Sequence, residues 1–199
     1  MDSVTPASVV AVFLRANREV LAVSRKGNLT DIGLPGGKIE PGEAPEDAVR
    51  REVHEEVGIT IKHMSKCYER IDPVDGNVAW CYLVHTWEGT PRPRESNTSV
   101  LWCAPDKMLE PHCTFREYNR GLFEHLSLSG KPPKMTHAQW RVLRNLHTGR
   151  TSYDGLRGMG QFGGLTVTLW SMRKRGWIDA KEELTDAGRA AYLGTKSWA

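Results

Sequence analysis

The chain has little cysteine, no long apolar run and no low-complexity tract, and each shortage removes a class of protein. Its four cysteines (Cys67, Cys81, Cys103, Cys113) form no C-x-x-C pair. They read as reduced, half-buried thiols rather than a disulfide frame or a zinc site. Nowhere do roughly 18 apolar residues follow one another, so no membrane-spanning helix or membrane partner is expected. The opening Met1-Asp2-Ser3-Val4-Thr5-Pro6 lacks the basic stretch of an export signal, and a cytoplasmic location is the expectation. No phosphate loop ending in Gly-Lys-Ser/Thr and no Ser/His/Asp grouping can be picked out. A hydrophobic share of 39% with 26% charged residues excludes a disordered, collagenous or coiled-coil chain.

The net charge of +3 is unevenly spread. Residues 1–134 carry 17 Lys and Arg against 19 Asp and Glu, while residues 135–199 carry 10 against 5. The sign changes at Ser129-Gly130-Lys131-Pro132-Pro133-Lys134, where two prolines favour an extended spacer. This predicts a first domain over 1–130, a linker over 131–134 and a second domain over 135–199.

In the first part, Ser8–Leu14 and Val20–Ser24 are short β-branched runs around a polar turn and read as a hairpin. Val78–Trp87 and Val100–Cys103 are further strand candidates. A helix is predicted over Ala44–Val57, with Pro45 in its first turn, Glu46 and Asp47 complementing the dipole, and Gly58 at its stop. Lys107–Leu109 and Thr114–Leu126 also have helical character.

The chemistry concentrates in Gly36-Gly37-Lys38-Ile39-Glu40-Pro41-Gly42-Glu43 and the helix that follows. At about 100° per residue, Glu52, Glu55 and Glu56 share roughly 100° of arc, beside a stripe of Val49, Val53 and Val57. Carboxylates so spaced repel one another, and only Arg51 flanks them. A hard divalent cation explains the cluster, because Mg²⁺ takes carboxylate and water oxygens together with substrate phosphates. The glycine turn lets backbone approach the metal or a phosphate closely. His54 and His63 lie off this stripe and read as solvated, and Pro111-His112-Cys113 lacks metal-site spacing.

Gly37, Glu43, Arg51, Glu52, Val53, Glu55, Glu56, Gly58 and Ile59 fill every fixed position of G-x5-E-x7-R-E-U-x-E-E-x-G-U, where U is a bulky aliphatic. In this the chain resembles the Nudix hydrolases. The resemblance implies an α/β (α+β) Nudix fold, a mixed sheet sandwiched between helices. It also implies Mg²⁺- or Mn²⁺-dependent cleavage of a nucleoside diphosphate linked to another group. By matching positions, Glu52, Glu55 and Glu56 would bind metal, with Glu52 also a candidate base, and Gly37 would offer its carbonyl. Arg51 would orient a catalytic carboxylate, and Glu43 would pair with it or stand behind the ligands. Leu34–Glu40 and Trp87-Glu88-Gly89-Thr90-Pro91 resemble the MutT-type members in particular. That likeness makes Glu95 a fourth ligand or alternative base, and Lys38 and Asn119 substrate contacts, Asn119 at the base. Asp72–Asn77 and the stretch before Asn119 depart from that type.

In the basic remainder, Thr136–Leu146 and Leu165–Arg175 read as helices, with a glycine-punctuated piece over Thr151–Met159 between them. Trp177-Ile178 and Glu183-Leu184 can pair as a small hairpin, and Thr185 caps a helix to Leu193. This pattern resembles a winged helix-turn-helix. Thr166, Thr168, Arg173, Lys174 and Arg175 would then face DNA, or the unit would dock a protein partner. A Nudix domain followed by such a unit also resembles regulators of the NrtR type, which sense ADP-ribose-like ligands.

Overall fold

The computed structural model describes residues 6–15, 17–71, 76–129, 134–157 and 159–193. In chain order the elements are β1 (Ser8–Val12), β2 (Val20–Arg25), β3 (Asn28–Gly33), β4 (Gly36–Lys38), α1 (Pro45–Val57), β5 (Thr60–Ile71), β6 (Val78–Glu88) and β7 (Val100–Cys103). A 3-10 turn over Pro105–Leu109 follows, then α2 (Arg116–His125), α3 (His137–His147), α4 (Met159–Lys174) and α5 (Asp186–Leu193). One sheet has the order β4-β1-β6-β5 and a second the order β3-β2-β7. The β1–β6 pair is parallel and the other pairs are antiparallel.

The near-continuous apolar run at the start of the chain suits a strand buried on both faces. Val9, Ala11 and Phe13 pack with Ala48, Val49, Val53 and Val57 of α1 in one core. Val12 and Leu14 pack with Leu122 and Phe123 of α2 in the other. The mixed sheet is thus held between α1 and α2. Each of the three α1 valines is fully buried, worth roughly 1.5–3 kcal/mol apiece. All four cysteines are buried and free, deeper than half-burial.

The expected hairpin between residues 8–14 and 20–24 forms only at its tip. Leu14 bridges Val20, and the Leu21 N–H donates to Phe13 O at 3.2 Å. The strands then part into different sheets, because both edges of β1 are taken, by β4 and β6. β4 can lie there because Gly36 (φ +152°) has no Cβ, which would fall on the Val9 carbonyl and Val10. β5 escaped the sequence pattern because its register against β6 shifts three times, breaking the alternation of faces.

α1 opens on Ala44 with Pro45 in its first turn, and Gly58 ends it in the left-handed region with its N–H on His54 O. In the basic part, Thr136 and Gln139 form a capping box for α3. α4 starts at Met159, six residues earlier than the sequence suggested, since Gly160, Gly163 and Gly164 depress helix propensity. Ile178 bridges Leu184, and Thr185 Oγ1 accepts from the Gly188 N–H at 3.0 Å. α3, α4 and α5 share a core of Val142, Leu143, Leu165, Leu169, Met172 and Trp177, among others. Of the expected linker, 131–133 lie outside the described residues.

The two parts touch through α5 and a histidine pair. Ala190 and Leu193 join the core on the α2 side. The His85 ring on β6 stands edge-on to His147 of α3 at 5.9 Å, and His147 lies 4.8 Å from the Tyr192 ring. His85 Nε2 meets Ser65 Oγ at 3.0 Å, whereas neither ring's Nδ1 has a partner. Burial, then the positive Arg189, then His147 and His63 push His85 down to about 4. Burial and Arg189 lower His147 as well. Both are neutral when folded at pH 7, while an unfolded histidine takes its proton near about 6.5. At these two sites the unfolded chain therefore binds more protons between about pH 6.5 and 4, and their contribution to stability falls as pH falls through that window. Over pH 7 to 5, the change in melting temperature should be more favourable to the fold in His85→Gln than in the wild type, which carries the histidine penalty. Equal slopes would remove this histidine from the account.

Candidate active site

The site starts from the turn between β4 and α1. Gly42 (φ +82°) reverses the chain, the Glu43 N–H donates to Glu40 O, and the Glu40 N–H returns a bond to Glu43 Oε2, both at 3.0 Å. Arg51, one turn and a half into α1, ties this loop to the helix. Its Nε and Nη2 fork onto the two Glu43 oxygens at 2.9 Å each. Nη1 donates to Glu52 Oε1 at 2.9 Å and Glu55 Oε2 at 3.3 Å, and Nη2 to Lys38 O at 3.0 Å. The Arg51 hydrogen bonds, then the Glu40 N–H, hold Glu43 down to about 2. The same carboxylates raise the Arg51 guanidinium further, Glu43 first.

Glu56 stands apart from this network. One oxygen accepts the Gly36 N–H at 2.9 Å. Burial raises Glu56 to about 7, with Glu52, Glu95 and Glu55 adding like charge. Gly37 lies against the Glu52 carboxylate so closely that a Cβ there would overlap it. Among the described residues no three His, Cys, Asp or Glu side chains stand ready around one point; Glu52 and Glu55 are turned onto Arg51 instead. The donor set still suits a hard divalent ion. It offers carboxylate oxygens and a close glycine backbone, and Glu56 is held partly buried among like charges that a cation would relieve.

The loop bearing Glu95 caps the end of α1. The Arg92 N–H donates to Val57 O at 3.1 Å and the Arg94 N–H to Glu56 O at 3.2 Å. Its far end is sewn to the β2–β3 turn by Gly27 N–H to Asn97 O at 3.0 Å and Ser99 N–H to Ser24 Oγ at 2.8 Å. Glu95 thereby lines a cleft of about 330 Å³ with Glu56, Ser24, Arg25 and Lys26. A second cleft of about 440 Å³ is lined by Gly37, Lys38, Arg70, Tyr118 and Asn119. Leu34, Gly36 and Phe115 line both, so the two form one trough.

Asn119 sits in α2, 1% exposed, with its Nδ2 buried and unpartnered. Tyr118 Oη beside it is also buried without a partner. Lys38 is exposed on β4. His54 and His63 are exposed, His63 Nδ1 meeting Thr86 Oγ1 at 2.7 Å. The residues expected to meet DNA line neither cleft. Thr166 is exposed on α4, and Thr168 Oγ1 donates to Gly164 O at 3.0 Å. Arg173 donates to Glu182 at 3.0 Å and Arg175 to Lys134 O at 3.1 Å. Lys174 Nζ lies 5.2 Å from the Trp170 ring centre. Sequence reasoning passed over Arg25, Lys26, Arg70, Phe115 and Tyr118. The one signal for them was the pair of aromatics Phe115 and Tyr118 in an otherwise polar stretch.

A model of the NUDIX domain family matches residues 4–126. The 8-oxo-dGTP diphosphatase of Escherichia coli K12 is 39% identical over 92 residues, covering 43% of this chain and 70% of that protein. The CTP pyrophosphohydrolase of the same organism is 29% identical over 109 residues, 51% of this chain and 78% of that one. Among solved structures, the NUDIX domain of Shewanella oneidensis NrtR, complexed with ADP ribose, superposes with a TM-score of 0.50. It covers 63% of this chain and 88% of its own at 21% identity, a likeness of fold. Since the family model takes in well over half of the residues, and the acidic stripe, its arginine and its glycine turn fall within it, the chain belongs to the Nudix hydrolase family.

Proposed function

We propose that this enzyme is a divalent-metal-dependent pyrophosphohydrolase that cleaves a nucleoside triphosphate to nucleoside monophosphate and pyrophosphate, or another nucleoside diphosphate derivative to nucleoside monophosphate and the phosphorylated remainder. The observation that carries this reading is Glu56, a partly buried carboxyl that lines the first cleft and accepts the N–H of Gly36, a residue common to both clefts. On one side Glu95 faces Arg25 and Lys26, charges of both signs that suit metal ions and phosphates. On the other lies Asn119, with an unpaired amide able to read a base. The 8-oxo-dGTP diphosphatase and CTP pyrophosphohydrolase among its relatives support a nucleoside triphosphate as the substrate class.

Glu52, Glu55, Glu56 and the Gly37 carbonyl would hold the ion, with Glu95 as a further ligand or proton acceptor. Mg²⁺ or Mn²⁺, once bound, neutralises phosphate charge and acidifies the attacking water. Glu52, which accepts from Arg51 at 2.9 Å, would be the base that takes the proton of the attacking water. Glu43 keeps Arg51 in position from the far side. Lys38, exposed and lining the second cleft, would be a further contact for the substrate. The regulator alternative draws less support, because Arg173 is engaged with Glu182 and Arg175 with the Lys134 carbonyl.

Glu56→Gln should lower turnover about 10³-fold while keeping the fold. Turnover can be followed as pyrophosphate release from canonical and oxidised triphosphates, and as release of a nucleotide product from ADP-ribose, dinucleoside polyphosphates and NADH. A variant turning over at the wild-type rate would end the proposal. Binding can be checked without turnover: millimolar Mg²⁺ or Mn²⁺ should raise the wild-type melting temperature, since a ligand of the folded state stabilises it. Chelator should reverse the rise, and Glu52→Gln/Glu56→Gln should lose it. A metal response surviving in that double variant would place the ion elsewhere.

A further inference from the structure

Phe115 is an aromatic side chain left half open to solvent, 50% exposed, at the waist of the trough. Local structure denies it the core. The Asp31 carboxylate, buried on β3, accepts the Thr114 N–H at 2.9 Å and the Thr114 hydroxyl at 2.6 Å. The Phe115 carbonyl takes the Asn119 N–H at 2.9 Å in the first turn of α2. Beneath the ring is Gly33, whose Cβ, if it had one, would lie 3.6 Å from it. The Arg25 guanidinium lies 5.5 Å from the ring centre, with Nε 3.7 Å from Asp31. A single buried carboxylate therefore ties down both the turn that presents the ring and the cation beside it.

The ring lines both clefts. A ligand with phosphates beside Glu56 and Glu95 must pass it before its base reaches Asn119. We propose that Phe115 is a substrate-binding residue on which the nucleobase stacks, presented by the Asp31–Thr114 clasp, so that the trough selects nucleotides over polyphosphates that lack a base. Every nucleobase has a π face, so an open aromatic ring grips purines and pyrimidines alike. Arg25, beside the ring, supplies a planar fork of donors for the phosphates. This inference rests on the nucleotide hydrolase reading and adds the residue that holds the base.

The test uses the full chain with Mg²⁺, CTP and dGTP as substrates, their α,β-methylene analogues as non-hydrolysed ligands, and inorganic tripolyphosphate as an inhibitor without a base. Phe115→Ala should raise KM and the analogue Kd about 10- to 100-fold. It should leave kcat within about threefold and tripolyphosphate inhibition unchanged, and Phe115→Trp should restore the wild-type Kd. An unchanged analogue Kd in Phe115→Ala, or an equal loss for tripolyphosphate, overturns the proposal. A wild-type protein that binds the analogues but hydrolyses neither triphosphate defeats the hydrolase reading alone, and the Kd ratio still decides Phe115. A wild-type protein that binds no analogue defeats the stacking role.

Discussion

A guanidinium has five N–H donors, and Arg51 directs all five into one loop and one stretch of helix. Two meet Glu43, one Glu52, one Glu55 and one the Lys38 carbonyl. The loop after β4 has little apolar surface of its own to hold it in place. This planar fork adds to the Gly42 reversal and the Glu40–Glu43 hydrogen bonds in holding it, and the Glu52 carboxylate is met by the same guanidinium that ties down the loop. A lysine there keeps the charge but has three donors on a compact ammonium and no fork.

Around that hub the site is electrostatically unbalanced by design of position. Arg51 compensates Glu43, Glu52 and Glu55, whereas Glu56 has one backbone N–H and three acidic neighbours. Burial drives the elevation of Glu56 and like charge adds to it. A carboxylate cluster costs stability when left alone and is repaid when a cation binds, which couples metal affinity to the fold. Gly36 and Gly37 share in this arrangement through lack of bulk. One admits β4 to the edge of β1 and the other leaves room for Glu52.

The trough depends on segments far apart in sequence. The Glu95 loop closes the exposed carbonyls of α1 and reaches across to the β2–β3 turn. The Asp31–Thr114 clasp brings the start of α2 over β3. The basic part is no free appendage in this structure, since α5 contributes Ala190 and Leu193 to the core under α2 and the histidine pair joins β6 to α3.

Much of α1 was legible beforehand. Its valine and glutamate stripes are set by the 3.6-residue period, and Pro45 and Gly58 mark its ends for local steric reasons. Such features depend on neighbours within a turn or two, which a one-dimensional reading can see. β5 was not legible, because its bulges erase the alternation, and neither was the parting of β1 from β2, because which strand takes which edge is a competition among distant segments. The order of residues alone determined that three carboxylates and an arginine would share one short helix, a few residues after a pair of glycines. Only the tertiary structure decided that Glu56 would be partly buried away from Arg51, while Glu52 and Glu55 turn onto that guanidinium, and that Phe115 would stand open between two clefts. Burial and contact between remote segments follow from how the sheets and α2 pack, and no local spacing encodes them.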